Sequence, residues 1–126
     1  MPLLFNEKRS DDGVLIMVIG SGQLTTTDSD IFHTFFKNKL EKSGEFKMFI
    51  DLRAVENASM NAIKTMVKHM NSFKDLARTK VIATSVVISD TTIEKLLGVL
   101  FSFSPPATPT KVTTSIEDAC EFLNSS

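Results

Sequence analysis

The sequence predicts an α/β fold, with a central mixed, mostly parallel sheet flanked by about four helices. Three observations carry that prediction. Short β-branched, apolar runs alternate with segments whose apolar residues recur at i, i+3, i+4 and i+7. The alternation reads β-β-α-β-α-β-α-β-α, and strands separated by helices pair in parallel through crossovers. The first two strands are joined instead by a tight turn, which makes one antiparallel pair. At 126 residues the chain is most simply a single domain spanning 1–126.

Leu3 to Arg9 reads as the first strand, and Ser10-Asp11-Asp12-Gly13 as a hairpin turn, because Asp-Gly supplies the φ > 0 position that such a turn needs. Val14 to Ile19 is a continuous apolar run, expected to be a strand covered on both faces and stopped by Gly20-Ser21-Gly22. Thr25 to Ser29 offers several N-caps for a first helix with Ile31, Phe32, Phe35, Phe36 and Leu40 on one stripe, ended by Ser43-Gly44. Lys47 to Leu52 is the third strand. The second helix carries Ile63, Met66, Val67, Met70, Phe73 and Leu76 on its inner side. Thr79 to Ser89 is the fourth strand.

Thr91-Thr92-Ile93-Glu94 has the capping-box pattern and opens a third helix through Ile93, Leu96, Leu97 and Leu100, stopped by Pro105 and Pro106. Thr110 to Thr113 is a short fifth strand. Thr114-Ser115-Ile116-Glu117 is a second capping-box pattern, opening a last helix with Ile116, Ala119, Cys120 and Leu123 facing inward.

Composition narrows the function. Fourteen basic and fifteen acidic residues give a net charge of −1, so no bulk field draws the chain to nucleic acid or to an anionic membrane. No apolar run approaches the roughly 18 residues that cross a bilayer, and the N-terminus has no secretory pattern. The lone cysteine, Cys120, cannot form an internal disulfide, which fits a cytoplasmic protein.

The most informative stretch is Met48 to Met70: a buried strand, a short polar loop from Glu56 to Asn61, and a strongly amphipathic helix. A helix start presents free N–H groups and the positive end of the helix dipole. Such a junction suits a phosphate, a docked partner, or simply a capped turn with Asn57 or Ser59 as the cap.

Element order and three short motifs resemble the STAS domain, the sulfate-transporter and anti-sigma-factor-antagonist family. The motifs are Gly20 to Leu24 after the second strand, Phe49-Ile50-Asp51-Leu52-Arg53-Ala54-Val55-Glu56, and Ser115-Ile116-Glu117-Asp118-Ala119. The similarity covers Asp12 to Leu123. It implies a stand-alone STAS-like regulator that is not an enzyme, needs no cofactor, and docks a protein partner: an anti-sigma factor or kinase of the GHKL ATPase type, or a phosphatase. The family's Asp-Ser-Ser/Thr-Gly motif, whose first Ser accepts phosphate, falls here on Ser59-Met60-Asn61-Ala62. Met60 has no hydroxyl, so the usual switch is expected to be missing unless Ser59 takes the phosphate. The implied docking residues are Glu56, Asn57, Ser59, Met60 and Asn61, joined by Lys64 and Lys68 on the outer side of the helix.

Other chemistry is sparse. His33 and His69 lie on different helices without further ligands at metal spacing, so no metal site is expected. Cys120 reads as a buried structural thiol. Lys64, Lys68, Lys74, Arg78 and Lys80, with His69, form a solvated or partner-facing side of the second helix and its exit. The resemblance also allows a small-ligand binder for nucleotide, lipid or chromophore, its pocket lined by the first helix's phenylalanines with Phe101 and Phe103. A third option is self-association through the first strand as an open edge.

Overall fold

The computed structural model describes residues 3–89, 98 and 107–126. The elements are β1 (Leu3–Ser10), β2 (Gly13–Leu24), α1 (Thr26–Lys42), β3 (Phe46–Ala58), α2 (Met60–Ser72), α3 (Lys74–Lys80), β4 (Val81–Val87), β5 (Thr110–Thr113) and α4 (Ile116–Asn124). The helix expected to open at Thr91, with Phe101 and Phe103 after it, lies outside the described residues.

The strands form one five-stranded sheet in the order β1-β2-β3-β4-β5. β1 and β2 are antiparallel, with Ser10 opposite Gly13 across the turn. The pairs β2–β3, β3–β4 and β4–β5 are parallel. Each parallel step moves in the same direction, so the sheet is mixed in the sense predicted.

Two apolar layers hold the sheet. On one face Ile16, Val18, Met48, Ile50 and Val86 meet Phe32, Phe36 and Leu40 of α1 and Ile63 of α2. On the other, Phe49, Ala83 and Val87 meet Ala119 and Leu123 of α4. Phe32 and Leu40 are wholly buried, and each such side chain contributes about 1.5–3 kcal/mol over its exposed state. The second layer is smaller. Leu15 and Met17 of β2 pack partly against this layer, but Ile19 is 37% exposed, so β2 is covered on both faces only in part; Leu4, on edge strand β1, is 61% exposed. Edge strand β1 carries an inward charge as well, since Glu7 pairs with Lys39 of α1 at 3.0 Å.

Five boundaries differ from the sequence pattern. β2 runs through Gly20-Ser21-Gly22 to Leu24, with register shifts after Ile19 and after Gly22. Gly20 is where β3 comes closest: a Cβ there would stand 2.9 Å from Leu52 Cδ2 and 3.2 Å from Val55 Cγ2. Gly22 adopts φ +65°. These glycines bend a strand rather than end it. β3 likewise extends to Ala58.

The second helix stops at Phe73, whose φ −106°, ψ 25° breaks the helical path, and a separate α3 follows. Leu76 is therefore 37% exposed, and Thr79 and Lys80 finish α3 rather than open β4. In α4 the cap is Ser115, whose Oγ accepts from the Asp118 N–H at 3.2 Å, one residue later than the pattern suggested. The buried stripe there is Ala119 and Leu123, with Phe122 beside it. Cys120 lies one step of about 100° beyond Ala119 and is exposed, as is Ile116. The thiol is therefore not a buried structural one.

Candidate functional site

The chain passes from sheet to helix in a single residue. Ser59 is the N-cap of α2, with extended backbone, and its Oγ accepts from the Ala62 N–H at 3.0 Å. The Ile63 N–H donates to the Ser59 carbonyl at 3.1 Å. Asn57 is not a cap: it sits in β3 opposite Gln23 of β2. The polar loop expected from Glu56 to Asn61 is thus mostly strand, because the bulges of β2 let pairing with β3 continue to Ala58.

Glu56, Asn57, Ser59, Met60, Asn61, Lys64 and Lys68 are all exposed. Met60, the first residue of α2, leaves 45% of its surface open. Asn61, Lys64 and Lys68 follow at i, i+3 and i+7, so they share one side of the helix. The opposite side buries Ala62, Ile63 and Val67. α2 has no acidic residue in its first turn. The other basic residues part from this side: Lys80 donates to the Ser43 carbonyl, and Arg78 meets Asp75 at 3.5 Å.

α1 supports this junction. Thr25 and Asp28 form a capping box that the sequence reading did not single out: the Asp28 carboxylate accepts from the Thr25 N–H at 2.8 Å, and Thr25 Oγ1 accepts from the Asp28 N–H at 3.4 Å. The next residue, Ser29, is buried and donates to the Ala62 carbonyl at 2.7 Å. The two helix starts are therefore fastened side by side.

The two histidines also meet. The rings of His33 on α1 and His69 on α2 lie 4.1 Å apart, tilted 47°, and Phe73 stands 5.0 Å from His33. His69 Nε2 is 3.1 Å from Asp30 Oδ1. Neither histidine is a solitary flank residue, a fact that sequence separation concealed. Among the described residues no group of three or more His, Cys, Asp or Glu is arranged to hold a metal ion.

A further pair escaped the sequence reading. Arg53 Nε and Nη2 donate to the two Asp51 oxygens at 3.0 and 2.8 Å. Alternation along a strand puts i and i+2 on one face, which is the signal that could have found it. The Arg53 hydrogen bond holds the Asp51 carboxyl below the usual carboxylate range, against a smaller opposing effect of burial.

A cavity of about 60 Å³ lies between α2 and the sheet, lined by Leu24, Ile50, Leu52, Ile63, Met66 and Met70 among others. It differs from the pocket expected at the first helix, whose further lining, Phe101 and Phe103, lies outside the described residues. Phe32 and Phe36 are buried in the core, and Phe35 stacks on Phe5 at 4.0 Å. Among the described residues no helix is long and apolar enough to cross a membrane.

Sheet order, helix placement and the capped β3–α2 junction define a SpoIIAA-like fold, and solved structures agree. An uncharacterized DUF3478-family protein of that fold from Shewanella loihica PV-4 superposes with a TM-score of 0.66 at 19% identity, over 96% of this chain and 93% of that one. An anti-sigma factor antagonist from Mycobacterium paratuberculosis gives 0.60 at 16% identity, over 97% and 94%. The anti-sigma factor antagonist SpoIIAA in its unphosphorylated form gives 0.62 at 10% identity, over 98% and 100%. The chain itself belongs to the DUF7793 family, a domain of unknown function, whose model matches residues 9–126. No curated protein matches it.

Proposed function

We propose that this protein is a non-enzymatic regulatory module that docks a protein partner through the end of β3 and the outer side of α2. The observation that carries the reading is Met60: a large apolar residue, 45% exposed, opening a helix whose start is fixed by Ser59 and Ser29. A flexible thioether held at a rigid helix start suits an apolar socket on a partner. Lys64 and Lys68 beside it suit an acidic rim around that socket. The fold is shared with anti-sigma factor antagonists, which favours a partner of the anti-sigma factor, kinase or phosphatase class. With Met60 where that family's phosphoacceptor stands, binding is constitutive or is controlled on the partner's side.

The test is affinity capture of the tagged chain from its native cells beside Met60→Asp, with Ser59 examined for phosphate in the same samples. Loss of a specific partner on Met60→Asp supports the reading. Equal capture by both removes the start of α2 from the interface, and phosphate on Ser59 relocates the switch rather than removing it.

The cavity beneath α2 favours a second reading, the binding of a small apolar ligand. Its lining offers packing and almost no hydrogen bonding, so the ligand would be hydrocarbon-like rather than a nucleotide. A small hydrocarbon that raises the melting temperature would support it.

A further inference from the structure

The paired histidines suggest a property beyond docking. Their rings stand 4.1 Å apart at the packed face between α1 and α2. His33 Nδ1 is buried without a hydrogen-bond partner. His69 Nε2 has Asp30 at 3.1 Å, on the more exposed side of the pair. Phe73, at the α2–α3 junction, closes the other side of His33 at 5.0 Å. The rings are tilted by 47°, and among the described residues no third His, Cys, Asp or Glu joins them in an arrangement that could hold a metal ion.

We propose that the His33–His69 pair is a proton-sensitive latch between α1 and α2, closed at neutral pH and opened when both rings are charged. One proton on His69 makes its contact with Asp30 an ion pair. A second proton, on His33, sets two cations with ring centres 4.1 Å apart, and the buried His33 Nδ1 has no hydrogen-bond partner to share the charge. Burial first, then the charges of His69 and Lys37, hold the His33 ring below the usual histidine range, against the opposing pull of the Asp30 carboxylate. A base whose folded-state affinity for protons is lowered contributes stability that is complete above its ordinary pKa, about 6.5, and is lost as pH falls below that. α2 is the element set free, since Ser29 and the ring pair both fasten it to α1. The proposal stands whether or not α2 docks a partner.

The experiment is amide hydrogen exchange between pH 7.5 and 5.5, corrected for intrinsic rates, on the wild type and on His33→Phe. The latch predicts that protection of α2 falls roughly tenfold in the wild type while that of α4, on the other face of the sheet, stays within about twofold. In His33→Phe the α2 response should be flat, because the replacement ring fills the slot beside Phe73 without titrating. Should that variant fail to fold, the wild type decides alone: the His33 ring resonance and the α2 amide resonances must shift with one midpoint. Unchanged α2 protection, an equal fall in both helices, an undiminished fall in His33→Phe, or separate midpoints would each overturn the proposal.

Discussion

Ser29 Oγ donates to the Ala62 carbonyl across 2.7 Å, and the N–H of the same Ala62 donates to the Ser59 cap at 3.0 Å. One residue, through the two peptide groups that flank it, thus joins the first turns of α1 and α2 and the cap of α2. The start of α2 is fixed by hydrogen bonds and not only by its apolar underside. Removing a buried bond of this kind costs about 0.5–1.5 kcal/mol. Ser29→Ala should lower the unfolding free energy by that amount, read as a lower urea midpoint with an unchanged slope in equilibrium denaturation.

The cap itself is separable from the packing beneath it. Ser59→Ala should cost about 1 kcal/mol, whereas Ser59→Asp should retain most of the stability because a carboxylate accepts the same N–H. Melting curves of the two variants decide it. Equal losses in both would mean that the hydroxyl serves something other than the cap.

Gly20 marks the closest approach of β2 and β3. A methyl group there meets Leu52 and Val55 below ordinary contact distance, so Gly20→Ala should destabilise by about 1–2 kcal/mol through overpacking. Denaturant titration provides the measurement. Neutrality would show that the Leu52 tip simply moves aside.

If α2 docks an acidic surface, Lys64→Glu with Lys68→Glu should slow association, and raising salt should slow the wild type but speed the charge-reversed variant. Met60→Asp should act instead on dissociation. Stopped-flow or surface-plasmon traces against the captured partner separate the two effects.

The Asp51–Arg53 pair has a signed pH dependence. A depressed carboxylate contributes stability that is complete above its ordinary pKa of about 3.9 and fades as pH falls through the lower folded value. Arg53→Met should therefore cost most near neutrality and nothing in strong acid. The loss should stay under about 1 kcal/mol, since the Arg53 side chain is 48% exposed. Denaturation followed from pH 7 down into strong acid traces the curve.

Much of this was legible in the sequence because period and capping are local. The stripe Ile63, Met66, Val67 and Met70 marks α2, the cap is one of the two residues the local pattern offers, Ser59 and not Asn57, and Asp12-Gly13 marks the hairpin. What escaped depends on distant chain. Gly20 reads as a breaker until β3 is placed against it, and β3 ends where bulges in β2 allow. Cys120 follows the helical period of α4, but only the sheet beneath decides which arc of a nine-residue helix is covered. His33 and His69 are separated by a whole strand, so nothing local announces a pair.

The sequence holds one cysteine, and Cys120 lies exposed on α4, which packs on the sheet face opposite α1 and α2. Maleimide chemistry can therefore attach a dye or a surface at a single defined point without cysteine engineering. A chain immobilised this way presents α2 outward to solution, and a fluorophore there reports tumbling and binding while leaving the candidate docking face unmodified.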